Sequence, residues 1–281
     1  MKIIRCLDNN GIPHVAEKIN ETTFRKLNGD IASRFSPTDE VIAPQKLLSP
    51  LMPVNIFAIG LNYSDHAGET DLGTSENPVV FMKATSSLNH PFSPIVLPAC
   101  EMKGPETDYE GELAVIIGTA ARNVEEKSAM AHVFGYCCAN DISARRWQKH
   151  AGAGQWVRGK SFDTFCPLGP LMVTRDEIAD PHHLELRTTL NGNVMQQAHT
   201  SQMIFTIPRL ISFLSQDTTL LPGTVILTGT PAGVGYVRNP RVFLQPGDVV
   251  QITIDGIGTL ENPVVAPDTE NSAPVEVLAE R

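Results

Sequence analysis

The chain has 281 residues, 42% of them hydrophobic, and carries 22 lysines and arginines against 31 aspartates and glutamates, a net charge of −9. That length supports one large domain or one domain with a small appendage. The acidic balance argues against a nucleic-acid or anionic-membrane partner, and no apolar run approaches the roughly 20 residues needed to span a bilayer.

Met1 to Cys6 reads as a first strand. It lacks the apolar core of a signal peptide and is not the Arg- and Ser-rich type of an organelle transit peptide, so a cytoplasmic protein is expected. Asp8-Asn9-Asn10-Gly11 is a turn and Pro13 to Ala16 a return strand. Thr22 to Leu27 reads as a short helix. Residues 1–50 are thus expected to form a small N-terminal α+β unit, and residues 51–281 the catalytic domain. Beyond Pro53 the pattern becomes strands punctuated by Gly and Pro. These are Val54 to Gly60, Pro78 to Lys83, Ile95 to Pro98, Leu113 to Ile117 and Phe134 to Ala139. Leu184 to Asn191, Val225 to Thr228 and Val249 to Ile254 follow. Helices are expected at Lys127 to Val133 and Ile207 to Leu214, and the tail after Val265 reads as a surface arm. The fold class is therefore mainly β (α+β), closed or rolled rather than doubly wound. Five cysteines without C-x-x-C spacing suggest free thiols in a reducing compartment, with Cys137 and Cys138 as packing residues.

The chemistry begins at Asp108-Tyr109-Glu110-Gly111-Glu112-Leu113. Residues two apart on a strand share a face, so Glu110 and Glu112 point the same way beside a buried run. Paired carboxylates need a counter-charge, which a hard divalent cation supplies. The plainer alternative puts both on the solvated face of an edge strand. Asp141 follows a buried strand and offers a third oxygen ligand, or else an N-cap for a helix from Ser143 onward. Three carboxylates suit Mg²⁺ or Mn²⁺, and no Cys/His cluster has zinc spacing. His66 and Glu69 fall at i, i+3, where a carboxylate would orient an imidazole as a general base; a surface contact is the alternative. Lys160, between Gly159 and Ser161 at an expected strand start, would meet an anionic substrate oxygen or be an ordinary surface lysine. The Gly229 to Gly235 loop offers backbone N–H groups to a carboxylate but fails as a dinucleotide fingerprint.

In order along the chain, GLNYSDHAGE, Phe81 to Lys83, DYEGELAVIIG, GYCCANDISARRWQ, GKSFDTFCPLGP, Asn191 to Phe205, PGTVILTGTPAGVG and Pro246 to Asp248 resemble the fumarylacetoacetate hydrolase family. The resemblance spans about Val54 to Val265 and is closest to the domain-containing branch. That branch includes acylpyruvate hydrolases, oxaloacetate decarboxylases or tautomerases, and diketo sugar-acid hydrolases. The resemblance implies a mixed β-sandwich roll, usually a homodimer. It implies Glu110, Glu112 and Asp141 as Mg²⁺ or Mn²⁺ ligands and His66 with Glu69 as a water-activating dyad. Lys160 would offset developing negative charge, and Arg145, Gln148 and Thr230 would join it in holding the substrate. The founding hydrolase has a fourth carboxylate ligand, for which Asp65 is the nearest counterpart. The first expectation is a metal-dependent hydrolase that cleaves a C–C bond in a 2,4-dioxo acid through a metal-bound enolate. The alternative is an oxaloacetate decarboxylase or keto–enol tautomerase acting on a 2-oxo acid at the same site.

Overall fold

The structure is a computed structural model that describes residues 1–65, 76–100, 106–151 and 154–267. The N-terminal part is a meander of β1 (Lys2–Leu7), β2 (Pro13–Lys18), β3 (Phe24–Asn28) and β4 (Ser36–Ile42), with β5 (Lys46–Leu48) paired to β1. No helix occurs among its residues, so this unit is all β where an α+β unit was expected. Of Thr22 to Leu27, Phe24 to Leu27 fall in β3, because six residues gain little as an isolated helix. Paired to β2 they place Arg25 directly opposite Glu17, and the two form a 2.6 Å ion pair. Asn20 turns the chain between them by accepting the backbone N–H groups of Thr22 and Thr23.

The remaining strands are β6 (Ile56–Gly60), β7 (Val79–Lys83), β8 (Leu88–Asn89), β9 (Ile95–Val96) and β10 (Thr107–Asp108). They continue as β11 (Gly111–Ile117), β12 (Val133–Asn140), β13 (Ser143–Ala144), β14 (Cys166–Thr174) and β15 (Glu185–Leu190). The last are β16 (Asn193–His199), β17 (Val225–Leu227), β18 (Val249–Ile254) and β19 (Gly258–Val265). Short helices interrupt them, among the described residues α1 (Glu126–Ala129), α2 (Arg145–His150), α3 (Trp156–Lys160) and α4 (Ile207–Leu214). The helix expected over Lys127 to Val133 is shorter, since α1 tightens into a 3₁₀ turn at Met130–His132. Helix α4 spans the expected residues, with Thr206 accepting the Arg209 N–H and Pro208 in its first turn.

One mixed sheet runs β4-β3-β2-β1-β14-β12-β11-β17-β6-β7, and the N-terminal meander joins it through the β1–β14 pair. A second sheet runs β16-β15-β18-β19-β9. The fold is mainly β, as the composition suggested.

Strand β11 is buried along its whole length. Its odd positions, Leu113, Val115 and Ile117, pack in a cluster with Leu186 and Ile252 of the second sheet. Its even positions, Ala114 and Ile116, pack with Cys137, Leu168 and Phe81 on the opposite face. A strand with both faces covered reads as a continuous apolar run, and Leu-Ala-Val-Ile-Ile is one. Among the described residues no helix is long and apolar enough to cross a membrane. All five cysteines are free, and Cys137 and Cys138 are fully buried packing residues.

Candidate active site

The register of two strands builds the centre. β11 and β12 run antiparallel with Gly111 opposite Asn140 and Glu112 opposite Ala139. One step further, the Asp141 N–H donates to the Glu110 carbonyl at 2.8 Å. Residues facing each other across an antiparallel pair project to the same side, as do residues two apart on one strand. Glu110, Glu112 and Asp141 therefore converge on the even-numbered face of β11, and one oxygen from each lies within 4.8 Å of the others. All three are buried, which rules out the solvated-edge reading. Gly111, between the glutamates, faces the other way. A Cβ there would lie 2.1 Å from Thr188 Oγ1 and 3.0 Å from Ile252 Cδ1. The glycine lets the second sheet close directly behind the acidic triad.

Three buried cations meet these acids. Lys160 Nζ donates to Glu110 Oε2 at 2.8 Å, to Asp141 Oδ2 at 2.6 Å and to Ser143 Oγ at 2.7 Å. Burial disfavours its charge, but Asp141 and Glu110 outweigh that, and its pKa is raised. Lys160 thus stays an ammonium. It ends α3 rather than starting a strand. Lys83, the last residue of β7, donates to Asp141 Oδ1 at 2.6 Å and also to the Lys160 carbonyl. Arg145 bridges Asp108 Oδ2, through Nε at 2.8 Å, and Glu110. Asp141 spends both oxygens on the lysines and does not cap a helix. Helix α2 begins at Arg145, with Ala144 before it and no side-chain cap.

Glu112 is the exception. Its Oε2 accepts the Gly229 N–H at 2.7 Å, so the glycine loop holds the chain's own carboxylate. Burial, then the charges of Asp141 and Glu110, raise its pKa well above the ordinary carboxylate value. Of the four carboxylates in this cluster, three touch a lysine or arginine, while Glu112 touches none among the described residues. An all-oxygen donor set with excess negative charge, closed to water behind, fits a hard divalent cation. Glu110, Glu112 and Asp141 would hold it.

The pocket over this centre is lined by Arg145, Gln148, Lys160 and Thr230, and by the apolar Ile59, Phe81 and Trp156. Gln148 Oε1 accepts from Arg145 at 3.0 Å, one helical turn away. Thr230 Oγ1 donates to the Gly111 carbonyl at 3.0 Å and accepts from Gln196 Nε2 at 2.7 Å. Seven of the candidate site residues, Glu110, Glu112, Asp141, Arg145, Gln148, Lys160 and Thr230, are thus gathered in one place. His66 and Glu69 lie outside the described residues. Asp65 is exposed and accepts from Gln202 at 3.2 Å, and it is not part of the acidic cluster.

Three residues that sequence reasoning gave no role belong here. Lys83 could have been found from a charge ending the apolar Val-Val-Phe-Met run. Asp108 accepts the N–H groups of Gly235 and Tyr236 at 2.8 and 2.9 Å besides its bond to Arg145. Gln196 fastens Gly111 N–H to Thr230. Neither of the last two carried a local signal.

The family model described as fumarylacetoacetate (FAA) hydrolase C-terminal matches residues 55–265, which include every described member of the site. The chain belongs to the fumarylacetoacetate hydrolase family. It is 48% identical over 220 residues to a mitochondrial oxaloacetate tautomerase of Xenopus laevis, covering 78% of this chain and 68% of that one. It is 43% identical over 239 residues to a mitochondrial oxaloacetate tautomerase of Homo sapiens, covering 84% and 75%. Among solved structures it is similar to a 5-carboxymethyl-2-hydroxymuconate delta-isomerase from Mycobacterium smegmatis, with 37% identity, a TM-score of 0.81 and coverage of 95% and 100%. A fumarylacetoacetate hydrolase from Exiguobacterium antarcticum gives 36%, 0.80, and coverage of 95% and 99%. Members of the fumarylacetoacetate hydrolase family are divalent-metal-dependent enzymes, and this chain is an enzyme of that family with a matching acidic centre.

Proposed function

We propose that the protein interconverts the keto and enol forms of oxaloacetate, with Mg²⁺ or Mn²⁺ held by Glu110, Glu112 and Asp141. The observation that carries this reading is the 43–48% identity to oxaloacetate tautomerases, over a site whose triad and lysine are all in place. It favours the second of the two activities expected from the sequence over C–C bond hydrolysis.

The bound cation supplies Lewis acidity toward the substrate's 2-oxo group and adjacent carboxylate. The chain's residues supply the rest. Gln148 and Thr230, both on the pocket wall, orient the substrate carboxylate. Lys160, kept charged by Asp141 and Glu110, faces the negative charge that grows on the 2-oxo oxygen as C3 loses a proton. His66, oriented by Glu69, is assigned from the sequence as the carrier of that C3 proton. Phe81 and Trp156 pack edge to face at 5.3 Å and exclude water from one wall.

The test follows the enol absorbance of oxaloacetate with metal-loaded protein, metal alone, and protein with chelator. Only the loaded protein should accelerate its decay. Lys160→Met should cut kcat by about 100-fold or more. Equal rates with metal alone would reject the tautomerase reading. Faster release of pyruvate from acetylpyruvate than tautomerisation of oxaloacetate would restore the hydrolase.

A further inference from the structure

The outer part of the pocket carries positive charge that the inner chemistry does not use. Lys149 follows Gln148 on α2, and its Nζ lies 4.2 Å from the ring centre of Tyr236. The guanidinium of Arg241 lies 4.2 Å from the same ring. Lys149 and Tyr236 line the same pocket as Glu110, Arg145, Lys160 and Thr230. Unlike Lys83, Lys160 and Arg145, neither Lys149 nor Arg241 has a carboxylate partner among the described residues.

The platform is built rather than incidental. The N–H groups of Gly235 and Tyr236 both donate to Asp108, the carboxylate that also anchors Arg145. A Cβ on Gly235 would lie 1.8 Å from the Val242 carbonyl and 2.7 Å from Asp108 Oδ1, so the loop approaches that closely only as glycine. One buried aspartate therefore fixes the backbone that carries the tyrosine relative to the inner site. Burial and then the charge of Arg145 disfavour the Lys149 ammonium, with Arg241 adding to the repulsion, and the charges of Glu110 and Asp108 offset this only in part. An anion seated between these cations would relieve that repulsion and give both a partner.

We propose that Lys149 and Arg241, gathered on the ring of Tyr236, recognise a second carboxylate at the far end of the substrate. The site would then select dicarboxylic 2-oxo acids over 2-oxo monoacids of the same carbon length. The inference rests on the reading above only for the 2-oxo end of the ligand.

The test is binding, by calorimetric titration of Mg²⁺-loaded protein with oxaloacetate equilibrated between its tautomers and with 2-oxobutanoate. The first carries the distal carboxylate and the second does not. Wild type should prefer the diacid by about tenfold or more, the scale of a charge-assisted contact. Lys149→Gln should reduce that preference to about twofold, Lys149→Arg should restore it, and Arg241→Gln should weaken it by a smaller factor. A wild-type protein without the preference, or a Lys149→Gln protein that keeps it, would overturn the proposal. Enol decay measured on the same samples separates the two questions. A Lys149-dependent preference without turnover rejects the tautomerase reading alone, and turnover without the preference rejects this inference alone.

Discussion

At the scale of single residues, the centre is a cluster in which all but one of the buried charges are matched. Lys83 shares Asp141 with Lys160, and both lysine side chains are essentially inaccessible. Breaking one partner of a buried pair leaves an uncompensated charge, so Lys83→Met should lower metal-free stability by about 3 kcal/mol. Urea denaturation checks this, and an unchanged midpoint would show that Lys160 alone satisfies Asp141. Glu112 sets a pH dependence. Its folded pKa is raised, so the metal-free folded state holds its proton more tightly than the unfolded chain does. Its contribution to stability is therefore present at low pH and lost as pH rises from the ordinary carboxylate value through the raised one. A metal ion must displace that proton, so affinity for Mg²⁺ or Mn²⁺ should rise with pH over the same window. Titration in two buffers of different ionisation enthalpy would read the released proton. Glu112→Gln should lose both the proton release and the pH slope, and a slope that persists would move the titration to another group.

At the scale of elements, the deciding feature is the pairing of β11 with β12. The i, i+2 glutamates and an aspartate after a buried strand were legible because both patterns are local, and the register then set them side by side. What stayed hidden was non-local. Lys83 lies 58 residues from Asp141 in sequence, and Gln196 lies 85 residues from Gly111. No window along the chain contains both partners. The misread helix at Thr22 to Leu27 has the same cause. Phe24 and Leu27 stand three apart, a helical spacing, yet in β3 they pack into different clusters, and the strand won because β2 and β4 were available on both sides. Gly111 tests the element scale directly. Gly111→Ala would push the second sheet off β11, since Thr188 Oγ1 lies where the methyl must go. The expected cost is about 2 kcal/mol, with weaker metal binding because both flanking residues are proposed ligands. Thermal unfolding and metal titration of the variant check it, and wild-type values in both would show that the sheets have room to part.

At the scale of the whole molecule, the outline of a mainly β chain with few helices followed from Gly and Pro punctuation and from apolar runs too short for long helices. The joining of the N-terminal meander to the main sheet did not, because β1 finds its partner β14 about 170 residues later. The acidic centre lies between elements distant in sequence, from β7, β11, β12, α3 and the loop after β17. A cation bound there ties those segments together only in the folded state. Saturating Mg²⁺ or Mn²⁺ at 100 times Kd should add about 2.7 kcal/mol to stability. Differential scanning fluorimetry with and without chelator should show the rise in Tm, and Asp141→Asn should abolish it. An equal rise in that variant would place the stabilising ion elsewhere.

The hydrogen bond from Asp141 N–H to the Glu110 carbonyl has a consequence in time as well as in space. It joins two members of the acidic triad through the peptide backbone at the end of an almost wholly buried ladder, with no loop between them to absorb motion. Solvent deuterium reaches that amide only when β11 and β12 come apart. The amide of Asp141 should therefore be among the slowest in the protein to exchange, and its rate reports how often the catalytic centre ceases to exist.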